Sequence, residues 1–183
     1  MRVIAGTLKG RRLKSPSWDG LRPTSDKLRE TLFNLLAPRV PGARVLDVYA
    51  GTGAIGIEAL SRGASHVTFV ESDRRASALI AANLASCGIE AGYSILPVTA
   101  AKAFHMFATS AAFVPFDLIL LDPPYDRPPA DCLADLDRLL APGGWVVLEH
   151  ASRTLTPARQ GALQRIRDLK SGDSSLALYT CQY

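Results

Sequence analysis

At 183 residues, with 48% hydrophobic and 21% charged side chains, the chain has the size and composition of one soluble globular domain, or of one domain with a small appendage. No apolar run approaches the roughly 18 residues that span a bilayer. The opening Met1-Arg2-Val3-Ile4-Ala5-Gly6 is interrupted too soon by charge and glycine for a signal peptide, so a cytoplasmic protein without a membrane partner is expected. The formal charge is +4, but residues 1–30 hold eight basic against three acidic side chains, and the remainder is close to neutral. A basic arm on a near-neutral body fits a polyanionic partner, because clustered Lys and Arg release counterions from phosphates; a solvated basic face is the alternative.

In chain order, Val3-Ile4-Ala5-Gly6 and Lys9-Gly10-Arg11-Arg12-Leu13 read as two extended pieces of a small hairpin. A Pro-, Ser- and Gly-rich loop follows from Ser15 to Pro23. Thr24 or Ser25 can then cap a helix with Leu28, Leu32, Leu35 and Leu36 on one face, which Pro38 and Pro41 end. Residues 1–40 thus form an extension on a domain at 41–183. From Arg44 on, apolar runs alternate with helical segments, as in an α/β fold with a mostly parallel sheet. Strands are expected at Arg44–Val48, His66–Glu71, Ser94–Val98, Phe116–Leu121 and Gly144–Glu149, and helices near Ala54–Arg62, Arg74–Ser86, Ala100–Ala108 and Ala130–Leu140. Leu163–Leu169, a Ser171-Gly172-Asp173 turn and Leu176–Cys181 read as an antiparallel hairpin, which completes a seven-stranded sheet. Cys87, Cys132 and Cys181 are odd in number and far apart, which fits neither a disulfide framework nor a metal knuckle; reduced, buried thiols are expected.

Two motifs carry chemistry. Leu46-Asp47-Val48-Tyr49-Ala50-Gly51-Thr52-Gly53-Ala54-Ile55-Gly56 is a strand, a glycine turn and a helix start, and Glu71 ends the next strand, where an acid can grip ribose hydroxyls. The glycines let the backbone turn tightly and approach a ligand. The same pattern describes a dinucleotide site, but the carboxylate of Asp47 suits a ligand with positive charge, such as a sulfonium amino acid, better than a pyrophosphate. The glycines can also serve the turn alone, and Glu71 with Asp73 can simply favour a helix start.

The second motif, Asp122-Pro123-Pro124-Tyr125, follows the buried run Phe116–Leu121. In a doubly wound sheet this places an acid, two stiff prolines and an aromatic at the ligand crevice. An exocyclic base amine is a weak nucleophile, its lone pair being delocalised into the ring. Hydrogen bonds to the Asp122 carboxylate and the Pro123 carbonyl favour a pyramidal nitrogen, the prolines fix the carbonyl's direction, and Tyr125 can stack on a base swung out of its stack. A loop whose prolines only end a strand is the plainer alternative.

With both motifs, the chain resembles class I methyltransferases that modify amino groups. Arg2 to Gly6, Lys9 to Leu13, Leu21 to Leu36, Gly56 to Ala64 and Asp122 to Tyr125 resemble more closely the bacterial 16S ribosomal RNA (guanine-N2)-methyltransferase family. The resemblance covers essentially the full length, and Arg22 to Leu36 is its most specific part. It implies a Rossmann-like class I methyltransferase fold, S-adenosylmethionine as cofactor, and small-subunit ribosomal RNA or the assembling 30S particle as partner of a monomeric enzyme without a metal. It implies that Asp47, Tyr49, Gly51 and Gly53 surround the amino-acid end of the cofactor, that Glu71 binds its ribose, and that Arg22, Pro23 and Thr24 close over it. Asp122, Pro123 and Tyr125 orient the guanine amine, while Arg2, Lys9, Arg11, Arg12, Lys14 and Arg29 hold RNA. Where many methyltransferases offer an acidic or amide side chain to the adenine amine, this chain has Val98-Thr99-Ala100, so Thr99 or a backbone group is the candidate there.

The reaction implied is an in-line displacement that needs alignment more than a strong base, so His66, His105 and His150 receive no catalytic role. Adenine-N6 methylation of DNA and protein amide methylation use similar planar amines and stay open, as do a nucleotide-binding oxidoreductase with the same glycine pattern and a non-enzymatic RNA-binding module.

Overall fold

The computed structural model describes residues 1–18 and 25–181. Its centre is one sheet in the order β3-β2-β1-β4-β5-β8-β7-β6. Strands β1 (Arg44–Val48), β2 (His66–Val70), β3 (Tyr93–Leu96), β4 (Phe116–Leu121) and β5 (Leu140–Ala151) run parallel. The chain then returns antiparallel through β6 (Arg159–Gln160), β7 (Leu163–Ser171) and β8 (Ser174–Cys181), with β8 paired to β5. The chain builds outward from β1 through β2 to β3, then resumes on the other side of β1 with β4. The strand order therefore reverses between β1 and β4, and the carboxyl ends of those two strands open a crevice.

Period-two alternation divides the buried side chains of the strands between two faces. Val45, Phe69, Leu118, Leu120, Val147 and Leu178 pack with α1 (Asp26–Leu36), α2 (Ala54–Ser61) and α3 (Arg74–Ser86). Leu46, Val48, Ile119, Leu121, Val146 and Leu148 pack with α4 (Ala100–Thr109), α5 (Pro129–Leu133) and a 3₁₀ turn at Leu136–Arg138. Both faces being covered is why these strands read as continuous apolar runs.

The N-terminal extension shares the first of these clusters. Ser25 caps α1 by accepting from the Leu28 amide at 3.2 Å, and Leu28, Leu32, Phe33 and Leu36 are buried against the sheet side of the molecule. Each such side chain contributes about 1.5–3 kcal/mol by leaving water. The expected hairpin before it is present but short: Arg2 bridges Arg12, the Val3 amide donates to the Arg11 carbonyl at 2.9 Å and the Leu13 amide to the Met1 carbonyl at 3.1 Å. The amides between these two pieces are claimed by α2. Glu58 accepts from the Ile4 amide at 2.7 Å and the Ala5 amide at 2.9 Å, and the Ser61 carbonyl accepts from Thr7 at 2.8 Å. Gly6, at φ 82°, lies so close that a Cβ there would collide with the Ser61 carbonyl.

Two expectations change in the second half. The helix expected at Ala130–Leu140 is a five-residue helix and a 3₁₀ turn, because Asp135 at φ 59° adopts the left-handed conformation and interrupts it. Leu140 already belongs to β5, paired with Phe116 ahead of a register shift. The two-residue β6 adds an eighth strand to the expected seven; it is too short to give a periodic signal. Cys87, Cys132 and Cys181 are free and buried.

Candidate active site

The glycine turn and the Asp-Pro-Pro-Tyr segment leave adjacent strands at the same level. Val48 is in register with Leu121, and the Asp122 amide donates to the Val48 carbonyl at 3.4 Å. They meet at the point where the strand order reverses.

In the glycine turn, Tyr49 (φ 61°), Gly51 (φ 55°) and Gly53 (φ 78°) all lie in the left-handed region, within five residues. For Tyr49 this conformation is strained, and such strain is typical of sites where surrounding contacts over-determine the backbone. Its phenol is held between the Cys132 thiol and Arg127, whose guanidinium carbon lies 5.7 Å from the ring centroid. Burial, then the Cys132 neighbour, push the phenol up to about 12. The Tyr49 side chain thus braces the segment after Asp122. The third glycine has a packing role, because a Cβ on Gly56 would run into the Phe69 ring of β2.

Three carboxylates gather at this end of the sheet. Asp47, 1% exposed, accepts from the Gly56 amide at 2.9 Å. Burial pushes its carboxyl up to about 8, the Gly56 hydrogen bond opposes this, and the charges of Asp122 and Glu71 add to it. Glu71 accepts from the Gly51 amide at 2.9 Å and from the Asp73 amide at 2.8 Å. Each of its oxygens retains a lone pair for a ligand hydroxyl. Asp122 is half-buried, on the same sheet face as Asp47. Pro123 is buried, whereas Tyr125 is exposed and shares a hydrogen bond of 2.9 Å with the Ser174 hydroxyl at the start of β8. Thr99 is exposed and caps α4, accepting from the Lys102 amide at 3.3 Å. Arg22, Pro23 and Thr24 lie outside the described residues.

Of the basic side chains expected to meet RNA, Arg2, Lys9, Arg11, Arg12 and Lys14 are exposed. Arg29 is not available for that role. It is fully buried, donates to the Arg2 carbonyl at 2.9 Å and to Asp26 at 2.6 Å, and lies 4.0 Å from Glu58. Its charge fastens the basic arm to α2 rather than facing a phosphate. The helical spacing that buries Leu28, Leu32 and Leu36 also turns position 29 inward.

Two further residues escaped the motif reading. Asn83, fully buried on α3, donates to the Thr52 carbonyl of the glycine turn at 2.9 Å and accepts from the Lys14 amide at 2.8 Å. It couples turn to arm, and its only sequence signal is a polar side chain on a helix face that is otherwise apolar apart from Ser77. Glu149 ends the apolar stretch of β5, as Glu71 and Asp122 end theirs, and is 7% exposed in the wall of a concavity of about 240 Å³ with Pro123, Pro124, Tyr125 and Arg127. His150 lines the same concavity, its Nε2 3.5 Å from Asp168, while His66 pairs with Ser94 at 3.0 Å and His105 is exposed. Among the described residues, no cluster of His, Cys, Asp and Glu could hold a metal ion, and no helix is long and apolar enough to cross a membrane.

Residues 1–180 match the family described as "Conserved hypothetical protein 95". "Ribosomal RNA small subunit methyltransferase D" of Escherichia coli (strain K12) is 40% identical over 149 residues, covering 81% of this chain and 71% of that protein. The chain belongs to this methyltransferase family. The family match takes in the N-terminal extension as well as the sheet domain, so the extension belongs to the family's common architecture. YlbH of Bacillus subtilis (strain 168) is 36% identical across 98% of both chains. Among solved structures, yhhF of Escherichia coli superposes with a TM-score of 0.83 at 33% identity, covering 100% of this chain and 98% of that one. A full-length superposition of that quality makes the sheet and both of its helical layers the family's class I methyltransferase fold.

Proposed function

We propose that the protein transfers a methyl group from S-adenosylmethionine to the exocyclic N2 amine of a guanine in small-subunit ribosomal RNA. The observation that carries this reading is the convergence of the Asp47–Gly56 turn and the Asp122–Tyr125 segment at the switch point, in a chain whose relatives include a small-subunit ribosomal RNA methyltransferase. The residues present fit the cofactor. Asp47 is a buried carboxylate at the turn, suited to a cation, and Glu71 retains lone pairs for a ribose. Gly51 and Gly53 keep side chains out of a left-handed turn. A pyrophosphate would gain nothing from Asp47 at the turn and would oppose its ionisation, which disfavours a dinucleotide oxidoreductase.

When bound, S-adenosylmethionine supplies an activated methyl group. The chain's own residues align the acceptor with it. The Asp122 carboxylate and the Pro123 carbonyl accept hydrogen bonds from the amine and hold its lone pair toward the methyl carbon, while Tyr125 offers a stacking surface. Thr99, at the cap of α4, is the candidate contact for the adenine end. Arg2, Lys9, Arg11, Arg12 and Lys14 supply the phosphate contacts, with Arg22, Pro23 and Thr24 closing over the cofactor. Holding reactants in line at near-attack distance accounts for several kcal/mol of barrier reduction, about 7–11 in well-oriented cases.

The test is labelled methyl transfer from S-adenosylmethionine to small-subunit RNA and to assembled particles, followed by nucleoside analysis. N2-methylguanosine is expected. Asp122→Ala should abolish transfer while cofactor affinity stays within about threefold of native, since an aligned acceptor contact acts mainly on the chemical step. N6-methyladenosine as the product, or full-rate transfer by the variant, overturns the proposal.

A further inference from the structure

We infer that Glu149 selects guanine by accepting a hydrogen bond from its ring N1–H beside the reacting amine; this rests on the guanine-N2 function proposed above. Leu148 of β5 is in register with Leu121 of β4, so Glu149 and Asp122 occupy the next step on neighbouring parallel strands. Two residues back, Val147 and Leu120 both pack on the α1–α3 side, so Glu149 and Asp122 share that face. Two carboxylates thus stand about one strand spacing apart, roughly 4.8 Å between backbones, at the end of the sheet where the acceptor must enter.

Glu149 also joins two concavities. One, of about 240 Å³, lies beneath Pro123, Pro124 and Tyr125; the other, of about 260 Å³, is lined by Leu28, Leu32, Ile55 and Leu176. A base that presents its amine to Asp122 between these walls can turn either ring neighbour of that amine toward β5, and in guanine those neighbours are N1–H and the N3 lone pair; Glu149 favours the pose that brings N1–H to it.

The chemistry of that nitrogen decides which bases fit. Guanine offers N1–H beside its N2 amine, so amine and ring nitrogen are both donors. Adenine and cytosine offer lone pairs, N1 and N3, beside their amines. An ionised carboxylate accepts and cannot donate, so in that form Glu149 attracts the guanine edge and repels the other two. Glu149 can hold protein partners and still receive the base, because a carboxylate can accept about four hydrogen bonds. Its burial strengthens the selection, since lone pairs facing each other in a dry site are costly.

The experiment uses 2-aminopurine, which keeps the N2 amine and carries a lone pair at N1. Small-subunit RNA is ligated from segments with guanine or 2-aminopurine at the methylated position, located by mass spectrometry of RNA fragments, assembled into particles, and assayed in single turnovers. The native enzyme should prefer guanine by about a hundredfold or more, as a site built around a substrate N–H rejects an analogue lacking it. Glu149→Gln should narrow the ratio to within about tenfold, because its amide can donate to the N1 lone pair. Glu149→Asp keeps the charge and should keep the preference even where the rate falls. The other defects of 2-aminopurine, such as its missing O6 contact, are common to all three enzymes and cancel in the comparison. An unchanged ratio in Glu149→Gln, with both rates lowered equally, would give Glu149 a structural role and overturn the inference. If the native enzyme makes no N2-methylguanosine, the function itself fails first, at the nucleoside analysis, and the inference falls with it.

Discussion

Asp47 links cofactor binding to proton release. Its carboxyl is pushed up to about 8, mainly by burial and further by the charges of Asp122 and Glu71. Since pH 7 lies below that value, the carboxyl is mostly protonated before the cofactor arrives. The positive charge of S-adenosylmethionine favours the ionised form, and binding should therefore release protons at pH 7, up to about one per site. Titration calorimetry in two buffers of different ionisation enthalpy, without RNA, counts these protons directly. Asp47→Asn has no proton to release and serves as the reference. Equal proton release by native protein and variant, or none by either, would refute the assignment. Stability follows with the opposite dependence to an ordinary salt-bridged acid. A folded-state value raised above the unfolded 3.8 gives stability that is complete below pH 3.8 and lost as pH rises through about 8. Between these limits the native protein without cofactor should lose about 1.4 kcal/mol per pH unit relative to Asp47→Asn, seen as a larger fall in Tm from pH 5 to pH 8.

Gly6→Ala should destabilise the protein by about 2–4 kcal/mol in denaturant titrations, because the new Cβ is strained at positive φ and meets the Ser61 carbonyl, displacing the arm from α2; a change under about 0.5 kcal/mol would show that the arm is not docked as described. For the basic arm, replacing Arg11 and Arg12 by Gln should weaken RNA binding and lower the slope of log K against log salt by about 0.7–0.9 per lost phosphate contact, without affecting cofactor affinity. An unchanged salt slope would remove these two side chains from the RNA surface.

Much of the fold was legible because it rests on local periodicity. The β1 and β4 boundaries, the α3 span and the β7–β8 hairpin follow from apolar runs and glycine punctuation. The motifs were legible for the same reason: Asp47 to Gly56 and Asp122 to Tyr125 are contiguous, and a turn or a stiff proline pair needs only its neighbours. What misled was context beyond the segment. The apparent helix after Ala130 breaks at Asp135, whose left-handed backbone no propensity foretells. The hairpin of the arm stays short because Glu58 and Ser61, more than 50 positions away, take the amides of Ile4, Ala5, Thr7 and Leu8.

Arg29 and Glu149 mark the division between the two kinds of information. Sequence by itself determined the alternation of strands and helices, the residue types at the turn and the acceptor loop, and the excess of positive charge in the first 30 residues. It could not say that one of those charges is spent inside the protein, because a buried Arg29 is explained only by the Arg2 carbonyl, Asp26 and Glu58 converging on it. Nor could it bring Glu149 level with Asp122, which depends on the register of two strands joined through a long crossover. Local patterning is written in neighbouring residues, whereas charge burial and register are settled only when distant segments compete for the same partners.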